Sequence, residues 1–232
     1  MTLVKTLVCL ANSRKLSGRC VAGIVDGDSG EWIRPVSARL HREVSDSERM
    51  YKDGTDPKVL DIVSVPLLRH KPNGFQSENW LLDPDFYWMK TGRVGWRELM
   101  SLEQCPSTLW INGFSTYLGN NDRIPTEEAN TLSDSLNLIH VTDLTLQVHT
   151  PGASFGDTDR ALSARFSYAE HDHILRVTDP RYELEYLSKR EGFYKLGESF
   201  LTVSLGEPFQ GHVYKLVAAI IERAKIETGS KR

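Results

Sequence analysis

Two five-stranded Greek-key barrels, mainly β with short helices and joined by a partly helical segment, are what this sequence predicts. Three observations carry the prediction: short β-branched runs punctuated by Gly/Asp turns, a well-marked helix start after the third strand of the second half, and one element order recurring in both halves. The chain has 232 residues, of which 40% are hydrophobic and 25% charged. That usage excludes disordered and collagen-like chains and leaves apolar material for two small cores. The expected division is a first barrel over 1–85, a connecting segment over 86–135 and a second barrel over 136–232.

The first half opens with LVKTLVCL at 3–10, an apolar run that reads as a strand and leads into the turn-rich ANSRKLSG at 11–18. RCVAGIVD at 19–26 is the second strand, and GDSG at 27–30 has the chemistry of a tight hairpin into EWIRPV at 31–36. A short helix fits in 38–50, VLDIVSVPLL at 59–68 is β-branched, and ENWLL at 78–82 completes five strands. The second half repeats the order. LIHVTDLTLQVH at 138–149 alternates, the loop HTPGASFGDTDR follows, and ALSARFSYA and HILRVT form a hairpin about EHD. Asp179 is placed to N-cap a helix with Pro180 at its first position, running through RYELEYLSKREGF towards Gly192. FLTVSL at 200–205 and YKLVAAII at 214–221 then flank the turn GEPFQG. Within 83–137, MKTGRVGWRELMSLEQ and PTEEANTLSDSL read as helices packed between the barrels.

This order is that of the OB-fold, whose ligands lie across strands 2 and 3 between the loops joining strands 1 to 2 and 4 to 5. In the first half those places hold Arg14 and Lys15, then Arg19, then Trp32 and Arg34, and finally RHKPNGFQ with Arg69, His70, Lys71, Phe75 and Gln76. Period-two alternation puts Trp32 and Arg34 on one face of their strand. A ring that stacks on a base beside cations that meet phosphate suits unpaired nucleic acid. Residues 1–42 carry seven cations against three carboxylates, +4 in a chain of net charge -3. A core role for Trp32 and a plain solvated role for the basic residues is the competing reading of the same letters. In the second half Thr178, Asp179 and Glu207 are possible ligand contacts, although helix capping by Asp179 explains the first two with less and turn chemistry suffices for Glu207.

Several function classes lack support. No P-loop, G-x-G-x-x-G, G-x-S-x-G or H-E-x-x-H is present, so neither a cofactor nor a catalytic constellation is expected. His171 and His173 are the weak metal alternative, needing a third ligand from elsewhere. Cys9, Cys20 and Cys105 are odd in number and without C-x-x-C spacing, which fits reduced thiols in the cytoplasm. No apolar run reaches the roughly 18 residues of a membrane span, and the N-terminal stretch lacks a secretory cleavage site.

The stretches LVCLANSRKLSGRCVAGI, GEWIRPVS, DGTDPKVLDIVSVPL, LRVTDP and FLTVSLGEPFQGHVYKLVAAII resemble the bacterial dual OB-containing domain family. The resemblance runs through nearly the whole chain and is least clear over 83–137. It implies two OB-folds in one unit and a binding module of bacterial defence or conflict systems, with nucleic acid as the inferred ligand. It supplies no catalytic residues. Asn12 and Ser13 join Arg14, Lys15, Arg19, Trp32 and Arg34 as candidates by membership of the shared stretches. The resulting expectation is a non-enzymatic module for single-stranded or unpaired DNA or RNA. A sensor of a nucleotide-sized anion and a protein-docking adaptor are its alternatives.

Overall fold

The structure, a computed structural model, describes residues 2–27, 30–152 and 158–229. Positions 28 and 29 of the expected GDSG turn, and 153–157 of the loop after the sixth expected strand, lie outside the described residues. The chain divides into two compact units, one of Met1–Glu103 with Ser133–Ser135 and one of Gln104–Leu132 with Leu136–Arg232. The expected connecting segment is thus shared between them.

In the first unit the elements are β1 (Leu3–Lys15), β2 (Gly18–Val25), β3 (Trp32–Val36), α1 (Asp46–Arg49), β4 (Asp61–His70), β5 (Asn79–Leu82), β6 (Met89–Arg93) and α2 (Trp96–Ser101). The sheet order β1-β2-β3-β5-β4 closes through β1–β4 pairing, with β3 and β5 parallel. This is a closed five-stranded OB barrel, with β6 added outside β4. Its interior is Leu7, Cys9, Val21, Ile33, Val44, Tyr51, Val63, Val65, Leu67, Leu82 and Trp88. Two sequence expectations are corrected here. MKTGR is strand, since it gains a ladder partner in β4. The expected loop at 11–18 is mostly strand: β1 runs to Lys15, and only Leu16 and Ser17 turn the hairpin. Turn-type letters such as Asn12 and Ser13 lost to cross-strand pairing with Val21 and Cys20.

A register shift between Cys9 and Ala11 reverses which face of β1 follows the core. Gly23 sits opposite that shift, where an added Cβ would meet the Val8 carbonyl oxygen at 2.1 Å. Only glycine allows this close crossing of strands.

The second unit contains β7 (Arg123–Pro125), α3 (Thr126–Ala129), β8 (Leu136–His149), β9 (Ala161–Tyr168), β10 (His171–Val177), α4 (Pro180–Tyr186), β11 (Gly192–Leu205), β12 (His212–Glu222) and α5 (Arg223–Gly229). Its order β8-β9-β10-β12-β11 closes on β8, with β10 and β12 parallel and β7 outside β12. The topology repeats that of the first barrel strand for strand. Asp179 caps α4 by accepting from the Arg181 N–H at 3.0 Å, as its place before Pro180 predicts. The helix stops at Tyr186, so residues 192 and 193 belong to β11 instead. PTEEANTLSDSL likewise holds only the single turn α3.

Candidate functional site

In an OB barrel the outward face of the first three strands is the natural ligand platform. In the first barrel that face is closed to solvent. Val8, Leu10, Ala22 and Ile24 are each at most 1% exposed, and Trp32 and Arg34 are 8% and 4% exposed. Trp32 and Arg34 do share a face, as their spacing predicts, but it is a buried one. Arg34 pairs with Glu78 at 2.9 Å and donates to Ser135 Oγ at 2.9 Å, while Ser135 donates to Glu78 at 2.5 Å. A guanidinium paired inside the fold, its Nε buried as well, is out of reach of a base, and a sealed indole presents no stacking surface. Phe75 is buried as well.

The remaining first-barrel candidates do not converge. Ile24 pairs with Trp32, so Ala22, Ile24, Trp32 and Arg34 point outward, whereas Val21 points to the core. Arg19 and its partner Arg14 therefore lie on the face opposite Trp32 and Arg34. Asn12 Nδ2 donates to the Pro57 carbonyl, and Ser13 is buried beside Cys20. Lys15 is half-buried at the hairpin tip. Exposed Arg69, together with half-buried Lys71 that bonds the Asn79 carbonyl, lies on β4 and just beyond it. β4 does not pair with β2, being separated from it by β1 on one side and by β5 and β3 on the other. His70 lies against Trp80 instead, with ring centroids 5.2 Å apart.

The same face of the second barrel is open. Ladder register builds it in two rows. Phe193, Gln147, Ser163 and Arg176 form one, and Lys195, Thr145, Arg165 and Ile174 the other. The opposite parity carries Leu146, Val148, Leu162, Ala164, Leu175 and Val177 into the core, which forces these side chains outward. Phe193 is 64% exposed, and Arg176 and Lys195 are exposed. Arg165 Nη1 donates to Gln147 Oε1 at 2.9 Å, and its guanidinium carbon lies 5.6 Å from the Phe193 ring centroid. That contact fixes a cation beside an accessible aromatic ring. His149 Nε2 lies 3.1 Å from Ser163 Oγ. Its pKa is held below the ordinary value by burial and then by nearby Arg176, against Glu191.

A groove of about 600 Å³ continues from these rows past Arg165, Thr145 and Ile174 to Asp143 and Asp172. The face is thus electrically polarised, cationic around Arg176, Lys195 and Arg165 and acidic at its far end. His173 lines the groove yet is 1% exposed, stacked on Phe166 at 5.3 Å, and among the described residues neither ring nitrogen has a hydrogen-bond partner. Burial, then Lys215, pushes its pKa down to about 4. Burial likewise lowers Lys215 to about 7 against the pull of Asp122, and its ammonium donates to Asn112 Oδ1 at 2.8 Å.

The second-barrel candidates from the sequence have structural roles or lie off this face. Thr178 Oγ1 donates to the Val217 carbonyl, and Asp179 accepts from the Arg181 side chain and the Ile220 N–H besides capping α4. Glu207 is exposed in the β11–β12 turn. Among the described residues no group of three or more His, Cys, Asp or Glu is placed to hold a metal, and His171 is exposed while His173 is buried. Nor, among them, is any helix long and apolar enough to cross a membrane.

Sequence reasoning overlooked Arg165, Arg176 and Phe193, although ALSARFSY and HILRV carry the alternation that exposes the first two. A family description, dual OB-containing domain, matches residues 5–220. No curated protein and no solved structure matches the chain.

Proposed function

Because the chain belongs to the dual OB-containing domain family, we propose that it is a binding module whose ligand is single-stranded or unpaired nucleic acid, seated on the outward face of the second barrel. The observation that carries this reading is that strand register places Arg165, Arg176 and Lys195 on the same outward face as exposed Phe193, with Arg165 against its ring. Phe193 stacks on a base, while Arg176 and Lys195 meet phosphates on either side. Arg165 is held over the ring and supplies both charge and orientation. The acidic far end of the groove repels backbone and so confines the bound strand to the cationic end. A role in bacterial defence is the setting that the family resemblance implies.

The test is a salt titration of labelled DNA and RNA oligonucleotides. Three phosphate contacts give a slope of log K against log salt near -2, and removing one cation flattens it by about 0.7. Arg176→Ala and Lys195→Ala should each do so, while Arg69→Ala, on the first barrel, should not. Absence of binding at low salt, or equal slopes in all three variants, would refute the proposal.

A further inference from the structure

The first unit has a second cleft that the nucleic-acid reading does not use, of about 610 Å³, between the segment after α1 and the start of β6. Its volume is that of a small-molecule site. Its chemistry depends on which charges are already committed. Asp61, 1% exposed, accepts from Lys90 Nζ at 2.8 Å, Arg93 at 2.9 Å, the Lys58 backbone N–H at 3.1 Å and the Tyr51 hydroxyl at 3.2 Å. Burial alone would raise its pKa, but the Lys90, Lys58 and Arg93 contacts outweigh burial and keep it ionised. Asp53 accepts from the Thr55 backbone and hydroxyl, and Asp56 pairs with Arg49 at 2.9 Å. Asp56 and Asp61 are therefore neutralised within the protein, while exposed Asp53 is held by Thr55 and keeps its charge. By contrast, the exposed ammonium groups of Lys52 and Lys58 make no ion pair among the described residues.

The walls beside those lysines are apolar and accessible. Tyr87 and Met89 are 58% and 59% exposed, while Trp88 between them is 1% exposed, its Nε1 without an acceptor among the described residues. Two uncommitted cations facing an aromatic and thioether wall suit a planar ring that carries an anionic group. We infer that this cleft binds a small planar anion of mononucleotide size, with Lys52 and Lys58 on the anionic group and Tyr87 and Met89 against the ring. The inference stands apart from the reading of the second barrel, since no residue is shared.

The experiment is thermal-shift and calorimetric titration of the full chain with the four common nucleoside 5′-monophosphates, using adenosine and inorganic phosphate as partial probes. At least one monophosphate should stabilise the protein saturably, and adenosine and phosphate should each bind at least tenfold more weakly. Lys52→Ala/Lys58→Ala and Tyr87→Ala alter exposed side chains and should each weaken the monophosphate at least tenfold, whereas Arg69→Ala, exposed and outside both sites, should leave it unchanged. No saturable effect at millimolar concentration, or binding by both cleft variants as tight as by the wild type, overturns the inference. So does phosphate alone matching the best monophosphate.

Discussion

The two barrels share one topology and treat one face in opposite ways. Arg34 and Arg176 occupy corresponding outward positions on the third strand, each in the first pair of its parallel ladder with the fifth strand. Arg34 is 4% exposed and bound to Glu78, whereas Arg176 is exposed beside Ser163 and Gln147. A shared fold therefore does not decide which surface is available for a ligand, because burial of the platform depends on the residues around each strand. Where the strands are apolar on both sides, the platform becomes core. Where apolar and polar residues alternate, it stays open.

The comparison breaks most directly at its buried side. Arg34→Ala leaves Glu78 charged and unpaired inside the fold and should destabilise the first unit by about 3–5 kcal/mol, read from denaturant unfolding. A loss below about 1 kcal/mol would mean that the pair is not sealed as described. On the open side, Phe193→Ala should weaken oligonucleotide binding by about 1–3 kcal/mol with stability unchanged, and the weakening should persist at high salt, where phosphate contacts fade. An unchanged affinity would remove the ring from the interface.

A smaller effect concerns the groove floor. His173 and Lys215 are bases whose folded pKa values, about 4 and about 7, lie below their ordinary 6.5 and 10.5. The unfolded chain binds more protons in both intervals, so each group makes stability rise with pH there and fall as pH drops through it. Lys215, His171 and Asp172 face His173, Asp122 faces Lys215, and His149 shares the acid window. His173→Phe should flatten the decline in stability between pH 6.5 and 5. An unaltered decline would assign it to other groups. The smallest change is expected from Asp143→Asn, which relieves repulsion at the acidic end and should tighten oligonucleotide binding about two- to threefold, in line with about 0.5 kcal/mol for an exposed charge.

Much of the fold was legible because it is written locally. The N-cap Asp179 with Pro180 marked α4, and alternation in 144–149 and 161–168 marked two strands with one solvated face. The candidate site was less legible for a reason visible in the same letters. LVCL and CVAGIV are continuous apolar runs, the pattern of strands buried on both sides, and this signal competes with an exposed platform at Trp32 and Arg34. The partners of Arg34, Glu78 and Ser135, lie far along the chain, so no local pattern announces the ion pair. Phe193 escaped notice because the helix pattern after Pro180 runs on to it, while tertiary pairing with Gln147 takes it into β11. The shift at Cys9 and Ala11, which puts Arg14 on the core side, depends on a bulge that the spacing alone does not reveal.

Backbone hydrogen exchange of the full chain with and without a saturating single-stranded oligonucleotide locates the ligand most directly. The account predicts slowed exchange in 145–149, 163–167, 174–176 and 193–195, with the 14–19 hairpin unchanged. Protection confined to the hairpin and to residues 69–76, with the second barrel unaffected, would contradict it.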